Sequence, residues 1–254
     1  MHLHRVELGR IELAKSKTAY VCNECGSEYA KWQGQCNDCR EWNTFTRISI
    51  SADVTAKAPA DIDAEIRSLQ EVDLHNAPRL ITGIGEFDRV LGGGFVPGST
   101  ILIGGHPGAG KSTLLLQIMC AMAGSHTALY VTGEESLQQV AGRARRLNLP
   151  LEDLKVMVQT NVDAICQKAE QLQPKLMVVD SIQVMSRQDL DSTPGGVLQV
   201  KESASRLIRF AKLSNTVLLL VGHVTKDGSL AGPKILEHMI DCFIMLEGES
   251  DSRY

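Results

Sequence analysis

One short run constrains this chain more than anything else in it: Gly105-His106-Pro107-Gly108-Ala109-Gly110-Lys111-Ser112, with Thr113 next. It fits G-x-x-x-x-G-K-[ST] and stands between an apolar, strand-like run at 100–104 and a helix-forming run at 111–123. That is the setting the pattern needs in order to bind phosphate. Small residues let backbone N–H groups turn inward around phosphates without Cβ clashes. Lys111 brings positive charge to the β- and γ-phosphates, and the Ser112 hydroxyl can ligate Mg²⁺. The N-terminus of the following helix adds its own partial positive charge. ATP and Mg²⁺ are the expected ligands, with Lys111 serving both binding and catalysis.

The rest of the chain from residue 80 onward supports a fold that can carry such a loop. Runs at 128–132, 176–180 and 217–222 are β-rich, and helices are expected over 136–147 and 197–213. Strands alternating with helices imply βαβ units and a mostly parallel central sheet covered on both faces, an α/β P-loop core. In such sheets ligands gather at the carboxyl ends of the strands. Asp180 ends an apolar strand as a Walker B carboxylate does and would hold Mg²⁺, the alternative being an aspartate that caps a turn. Glu134 and Glu135 follow the strand at 128–132. Glu134 is the expected base for the attacking water, with Glu135 as helper or as a charge at the start of the next helix. His223 closes the strand at 217–222 and is either a sensor of the γ-phosphate or a structural histidine.

Ahead of this domain lies a different kind of sequence. Cys22-x₂-Cys25 and Cys36-x₂-Cys39 are separated by ten residues, a Cys₄ zinc pattern in which each tight knuckle aims two thiolates at one ion. A module of this size buries too little surface to fold alone, and structural Zn²⁺ supplies on the order of 10 kcal/mol. Two disulfides are the alternative. The expected organisation is an N-terminal extension (1–17), a Cys₄ zinc finger (18–48), a linker (49–79) and the ATPase domain (80–254). Within 51–79 six acids face three bases, the composition of a solvated linker with one helical turn near residues 62–69.

The formal charge of −4 excludes whole-molecule attraction to nucleic acid, so any DNA contact has to be local. No apolar stretch is long enough for a membrane span, and residues 1–17 lack the apolar core of a secretory signal. Seven cysteines, four of them clustered, fit a reducing cytoplasm. Basic residues cluster at Arg143, Arg145 and Arg146 and along Lys201, Arg206, Arg209 and Lys212, where solvated faces are the plainer reading. Two polar segments, 187–196 and 225–234, are expected to be flexible and to offer phosphate contacts through Arg187 and Lys226.

Several of these blocks resemble the bacterial RadA (Sms) DNA-repair family. The finger carries Val21-Cys22-Asn23-Glu24-Cys25-Gly26 and Trp32-Gln33-Gly34-Gln35-Cys36. Then come Thr82-Gly83-Ile84-Gly85-Glu86-Phe87-Asp88-Arg89-Val90-Leu91-Gly92-Gly93-Gly94, the P-loop, Val131-Thr132-Gly133-Glu134-Glu135-Ser136, Val178-Val179-Asp180-Ser181 and Gly222-His223-Val224-Thr225-Lys226-Asp227-Gly228. They follow the family's order over residues 18–247. The resemblance implies a RecA-like ATPase that forms hexameric rings and migrates branched DNA. It also implies Glu134 as the catalytic carboxylate, DNA-facing loops and a RecA-type recombinase as partner. His106 stands where the family commonly has Asp. The chain stops at Tyr254, before the family's Lys-Asn-Arg-Phe-Gly motif and Lon-protease-like domain. The Lys and Arg of that motif would act on a neighbour's nucleotide, so slow hydrolysis by this chain alone is expected. Two rival readings are a KaiC-like signalling ATPase and a zinc-stabilised DNA-binding module that ATP gates without hydrolysis.

Overall fold

The computed structural model describes residues 17–22, 24–50, 68, 78–190, 192–223 and 234–247. The expected helical turn at 62–69, nearly all of the linker and the N-terminal extension, and Lys226 with most of its segment fall outside the described residues.

The cysteine-rich segment forms a three-stranded antiparallel sheet, β1 (Lys17–Cys22), β2 (Glu28–Tyr29) and β3 (Phe45–Ile50), in the order β2-β1-β3. Its two knuckles are built alike. Cys22 O accepts from Gly26 N–H and Cys22 N–H donates to Ser27 O, both at 2.9 Å; Cys36 does the same with Arg40 and Glu41. The fifth residue of each knuckle takes a positive φ, 76° at Gly26 and 63° at Arg40. Val21, Cys22 and Cys36 are buried, and Tyr29 packs edge-to-face on Phe45 at 5.3 Å.

The second unit is a six-stranded sheet in the order β6-β5-β7-β8-β4-β9, every pairing parallel. Its strands are β4 (Thr100–Gly105), β5 (Ala128–Thr132), β6 (Lys155–Val158), β7 (Leu176–Asp180), β8 (Val217–Val221) and β9 (Cys242–Leu246). Strands buried on both faces read as unbroken apolar runs, which is why β4, β5, β7 and β8 carry so few polar residues. Alternate side chains sort into two cores. Ile101, Ile103, Leu176 and Val178 point toward α1 (Gly85–Val90), α2 (Lys111–Ala123) and α3 (Leu137–Arg146). Leu102, Met177, Val179 and Leu220 point toward α4 (Val162–Leu172) and α5 (Val197–Ser214). Each such side chain taken fully out of water stabilises the fold by about 1.5–3 kcal/mol.

The helices start where the local chemistry says they should. Ser136 caps α3 in a full capping box with Gln139, and Asn161 caps α4 by accepting from Ala164 N–H at 2.9 Å. Two ends carry left-handed residues, Gln173 after α4 and Asn215 after α5. Because all six strands run the same way, their C-terminal ends share one edge of the sheet. β4, β5, β7 and β8 therefore deliver residues 105–112, 133–135, 180–181 and 222–223 to the same edge.

Candidate nucleotide site

The loop after β4 is shaped by its glycines. Gly105 has φ 154°, and a Cβ there would lie 2.7 Å from the Leu246 carbonyl of β9, so no other residue fits. Gly110, at the start of α2, has φ 88° with nothing within 4 Å of the place its Cβ would occupy. The space beside Gly110 is thus open, and its positive φ favours glycine there. Ala109 N–H closes the turn onto His106 O at 3.1 Å. Lys111 is 5% exposed and donates from Nζ to Gly105 O at 2.7 Å and to His106 O at 3.0 Å. Burial pulls its pKa below that of a free lysine, while the charges of Asp180 and Glu134 push it partly back. Both carboxylates expected to work with Lys111 therefore lie within its electrostatic reach. Ser112 and Thr113 follow it on the first turn of α2, both half-buried.

Asp180 closes β7 and is nearly buried. Its Oδ2 accepts the Tyr130 hydroxyl at 2.6 Å across the β5–β7 pair. Burial, with the Asp180 charge beside it, raises the Tyr130 pKa far out of reach, so this hydroxyl stays a donor. The next residue, Ser181, is fully buried and donates from Oγ to Glu134 Oε1 at 2.5 Å. His223 Nε2 lies 3.6 Å from the same Glu134 oxygen, and His223 Nδ1 is buried without a partner among the described residues. Glu134 itself keeps its side chain 44% exposed.

Glu135 points elsewhere. It stands directly before the α3 cap Ser136, and its carboxylate pairs with Arg143 in the last turns of that helix. Arg143 belongs to this pair rather than to a solvated basic face. Sequence reasoning did not single out Tyr130 or Ser181. The available signals were a tyrosine inside an apolar strand and a serine directly after a strand-end aspartate.

Arg187, expected to meet phosphate, is engaged within the chain. Its side chain is only 19% exposed and is committed to acids: Asp189 at 2.6 Å, Asp163 at 3.9 Å and Glu202 at 4.0 Å. A guanidinium with three carboxylates around it offers little to a phosphate. The segment that follows is also pinned. Buried Gln199 accepts from Arg187 N–H and donates to the carbonyls of Arg187, Leu190 and Ser192. Lys226 lies outside the described residues.

In the cysteine-rich unit, the ligand atoms of Cys22, Cys25, Cys36 and Cys39 all lie within 4.8 Å of one another, and all four thiols are free. The Cys22–Cys39 and Cys25–Cys36 sulfurs are 3.5 Å apart. Tetrahedral zinc with Zn–S bonds of ~2.3 Å places its sulfurs ~3.8 Å apart, so the cluster fits the ion. Burial pushes the Cys39 thiol up to about 12. Burial opposes ionisation of Cys36 too, yet the Cys39 and Asp38 backbone N–H groups and neighbouring thiols bring it down to about 6.

The fold and the two sites define a class: a P-loop ATPase domain of RecA-like fold preceded by a zinc ribbon. A family model described as "AAA domain" matches residues 86–229, and one described as "Rubredoxin metal binding domain" matches residues 20–47. The chain is 58% identical over 246 residues to the DNA repair protein RadA of Haemophilus influenzae, 55% identical to that of Escherichia coli and 42% identical over 248 residues to that of Bacillus subtilis. It belongs to the RadA family. These alignments take in 93–94% of the chain and 53–54% of each relative, so the chain spans about half their length. A KaiC-like protein of Pyrococcus horikoshii superposes with TM-score 0.56 at 19% identity, covering 69% of this chain and 84% of that one, a likeness of fold. Among the described residues no helix is long and apolar enough to cross a membrane.

Proposed function

We propose that this chain is the nucleotide-driven half of a DNA-processing motor that acts on branched recombination intermediates, assembling as a hexameric ring in the complete protein. The observation that carries the reading is the convergence of Lys111, Asp180 and Glu134 at one end of the sheet. There buried Lys111 lies within electrostatic range of two carboxylates held by different hydrogen-bond donors. The relatives, which are DNA repair proteins by name, supply the DNA-repair setting.

The backbone N–H groups of Gly108, Ala109 and Gly110 wrap the triphosphate of ATP, with His106 and Pro107 forming the outer lip. Lys111 exchanges the carbonyls of Gly105 and His106 for the β- and γ-phosphate oxygens, a swing that stays within its reach. Ser112 and Asp180 would hold Mg²⁺, whose charge offsets that of the phosphates when bound. The Tyr130 hydroxyl occupies Asp180 Oδ2, so Oδ1 is the oxygen that would be available to the ion. Glu134 receives the proton of the attacking water: Ser181 and His223 crowd its Oε1, and Oε2 is left for that water. Through the same contact His223 reads the γ-phosphate and passes its state to the segment that follows, where Lys226 contacts a DNA phosphate.

Glu134→Gln tests the assignment. It keeps the hydrogen bond from Ser181 but has no basic oxygen, so ATP binding should survive while single-turnover hydrolysis falls by roughly 10²-fold or more. Normal hydrolysis in Glu134→Gln would assign the proton to another group.

A further inference from the structure

Both tryptophans of the chain lie in the zinc ribbon, and both are exposed, Trp32 by 56% and Trp42 by 66%. A domain this small ordinarily spends its largest apolar side chains on its core. Here Val21, Cys22 and Cys36 are buried and half-buried Tyr29 packs on Phe45, while the indoles are left outside. They are not scattered. A methyl group placed on Gly34 would lie 3.6 Å from Trp42 Cζ3 and 3.9 Å from Trp32 Cη2, so both ring systems border one spot above bare backbone.

The backbone holds that arrangement. Gln35 and Trp42 form an antiparallel bridge, Asn43 N–H donates to Gly34 O at 2.8 Å, and Gln35 Nε2 donates to Arg40 O at 2.8 Å. Two exposed cations flank the rings in sequence, Lys31 beside Trp32 and Arg40 two residues before Trp42. Neither makes an ion pair among the described residues. Of the neighbouring acids, Asp38 accepts the Tyr29 hydroxyl at 2.8 Å, while Glu41 faces solvent.

We propose that this face is a stacking platform for single-stranded nucleic acid, with bases laid on Trp32 and Trp42 and phosphates met by Lys31 and Arg40. Flat aromatic faces flanked by cations suit any base, because every base has a π-face, and recognition of this kind is independent of sequence. Two indoles and two cations form a small patch beside the ~800 Å² that each partner contributes to a standard protein interface. The inference rests on the DNA reading proposed above and names where on this chain the strand is held.

Since the two tryptophans are the chain's full complement, intrinsic fluorescence reports on this face alone. The chain is titrated with fluorescein-labelled oligo(dT) while anisotropy and, with unlabelled oligo(dT), tryptophan emission are followed. Quenching should trace the same isotherm as anisotropy. Trp32→Ala and Trp42→Ala should each weaken binding by roughly 5- to 100-fold, the effect of losing one stacked base. Trp32→Phe should keep most of the affinity, and the salt dependence should be unchanged in all three variants. Lys31→Ala with Arg40→Ala should instead flatten the salt slope by about 0.7 for each phosphate no longer neutralised. Zinc content and binding of an ATP analogue, equal to the parent's, establish that each variant is folded. Oligonucleotide binding with unaltered tryptophan emission would overturn the platform and leave the DNA reading standing. So would Trp→Ala variants that bind like the parent, and the face would then belong to a protein partner. Absence of any oligonucleotide binding would remove the DNA reading and the platform together.

Discussion

Tyr130 shows how much of the candidate nucleotide site can depend on a residue buried beneath it. It is fully buried in the middle of β5, and its hydroxyl holds the Asp180 carboxylate from the neighbouring strand. Removing that oxygen leaves the ring's packing intact and frees the carboxylate to rotate. Tyr130→Phe should therefore bind ATP normally but need several-fold more Mg²⁺ to reach half-maximal hydrolysis, which a metal titration of the rate measures. The stability cost should be about 1 kcal/mol, the net value of one hydrogen bond. An unchanged Mg²⁺ requirement would show that Asp180 is oriented by its backbone alone. Ser181 makes the parallel case for Glu134. Ser181→Ala should lower kcat while leaving the affinity for ATP unchanged, because its hydroxyl donates to Glu134, the proposed base.

At the scale of elements, the most economical tie is Asp241, directly before β9. One of its oxygens accepts Thr100 N–H at the start of β4, at 2.7 Å, and both accept Lys212 near the end of α5, at 2.5 and 2.7 Å. Three elements are registered by one carboxylate. Burial opposes its ionisation, but the Lys212 and Thr100 hydrogen bonds outweigh it and hold the pKa below that of a free aspartate. Unfolded, the group titrates at ~3.9. Its contribution is thus complete above that value and is lost as pH falls below it, through the depressed folded value. The side chain is 44% exposed, so solvent screening limits the effect. Asp241→Ala should cost on the order of 1 kcal/mol near neutral pH and nothing in strong acid, by denaturant unfolding at the two pH values.

The elements also show which signals the sequence offered. α2, β5 and β7 follow the expected runs to the residue, because unbroken apolar stretches ending in Gly, Thr or Asp allow few alternatives. β6 did not stand out, since KVMV is a short edge strand with half its residues in solvent. α4 did announce itself: Asn161 is a capping residue, and Val162, Ile165, Cys166 and Ala169 follow helical spacing, yet eleven residues between two strands read easily as a connection. The surroundings of Arg187 could not be read from the linear sequence. Its acids Asp163 and Glu202 belong to helices 24 and 15 residues away and meet it only after folding.

At the scale of the whole molecule, the chain joins two units that are stabilised by different means. The ATPase unit has a sheet buried on both faces, whereas the ribbon's interior is a few side chains around four thiols. Zinc removal should accordingly be local. A strong chelator should unfold residues 20–47 and alter tryptophan emission, with the far-ultraviolet helix signal and ATP binding preserved. Cys36→Ser should mimic it. Collapse of the helical signal on chelation would mean that the ribbon supports the larger unit.

Both sites were legible in outline because glycine, lysine and cysteine spacing express geometric demands directly. Their supporting residues, Tyr130, Ser181 and Arg143, were not, because strand pairing and helix docking bring them together across 8–50 residues. The central claim is that nucleotide in the P-loop and single-stranded DNA on this chain are linked. It is tested most directly by the dissociation constant of a non-hydrolysable ATP analogue with Mg²⁺, measured with and without saturating oligo(dT). Coupling of this kind should tighten the analogue by roughly 5- to 150-fold, and by reciprocity the analogue should tighten DNA equally. Lys111→Ala should abolish analogue binding under both conditions. An identical constant with and without DNA, in a chain that binds both, would contradict the account.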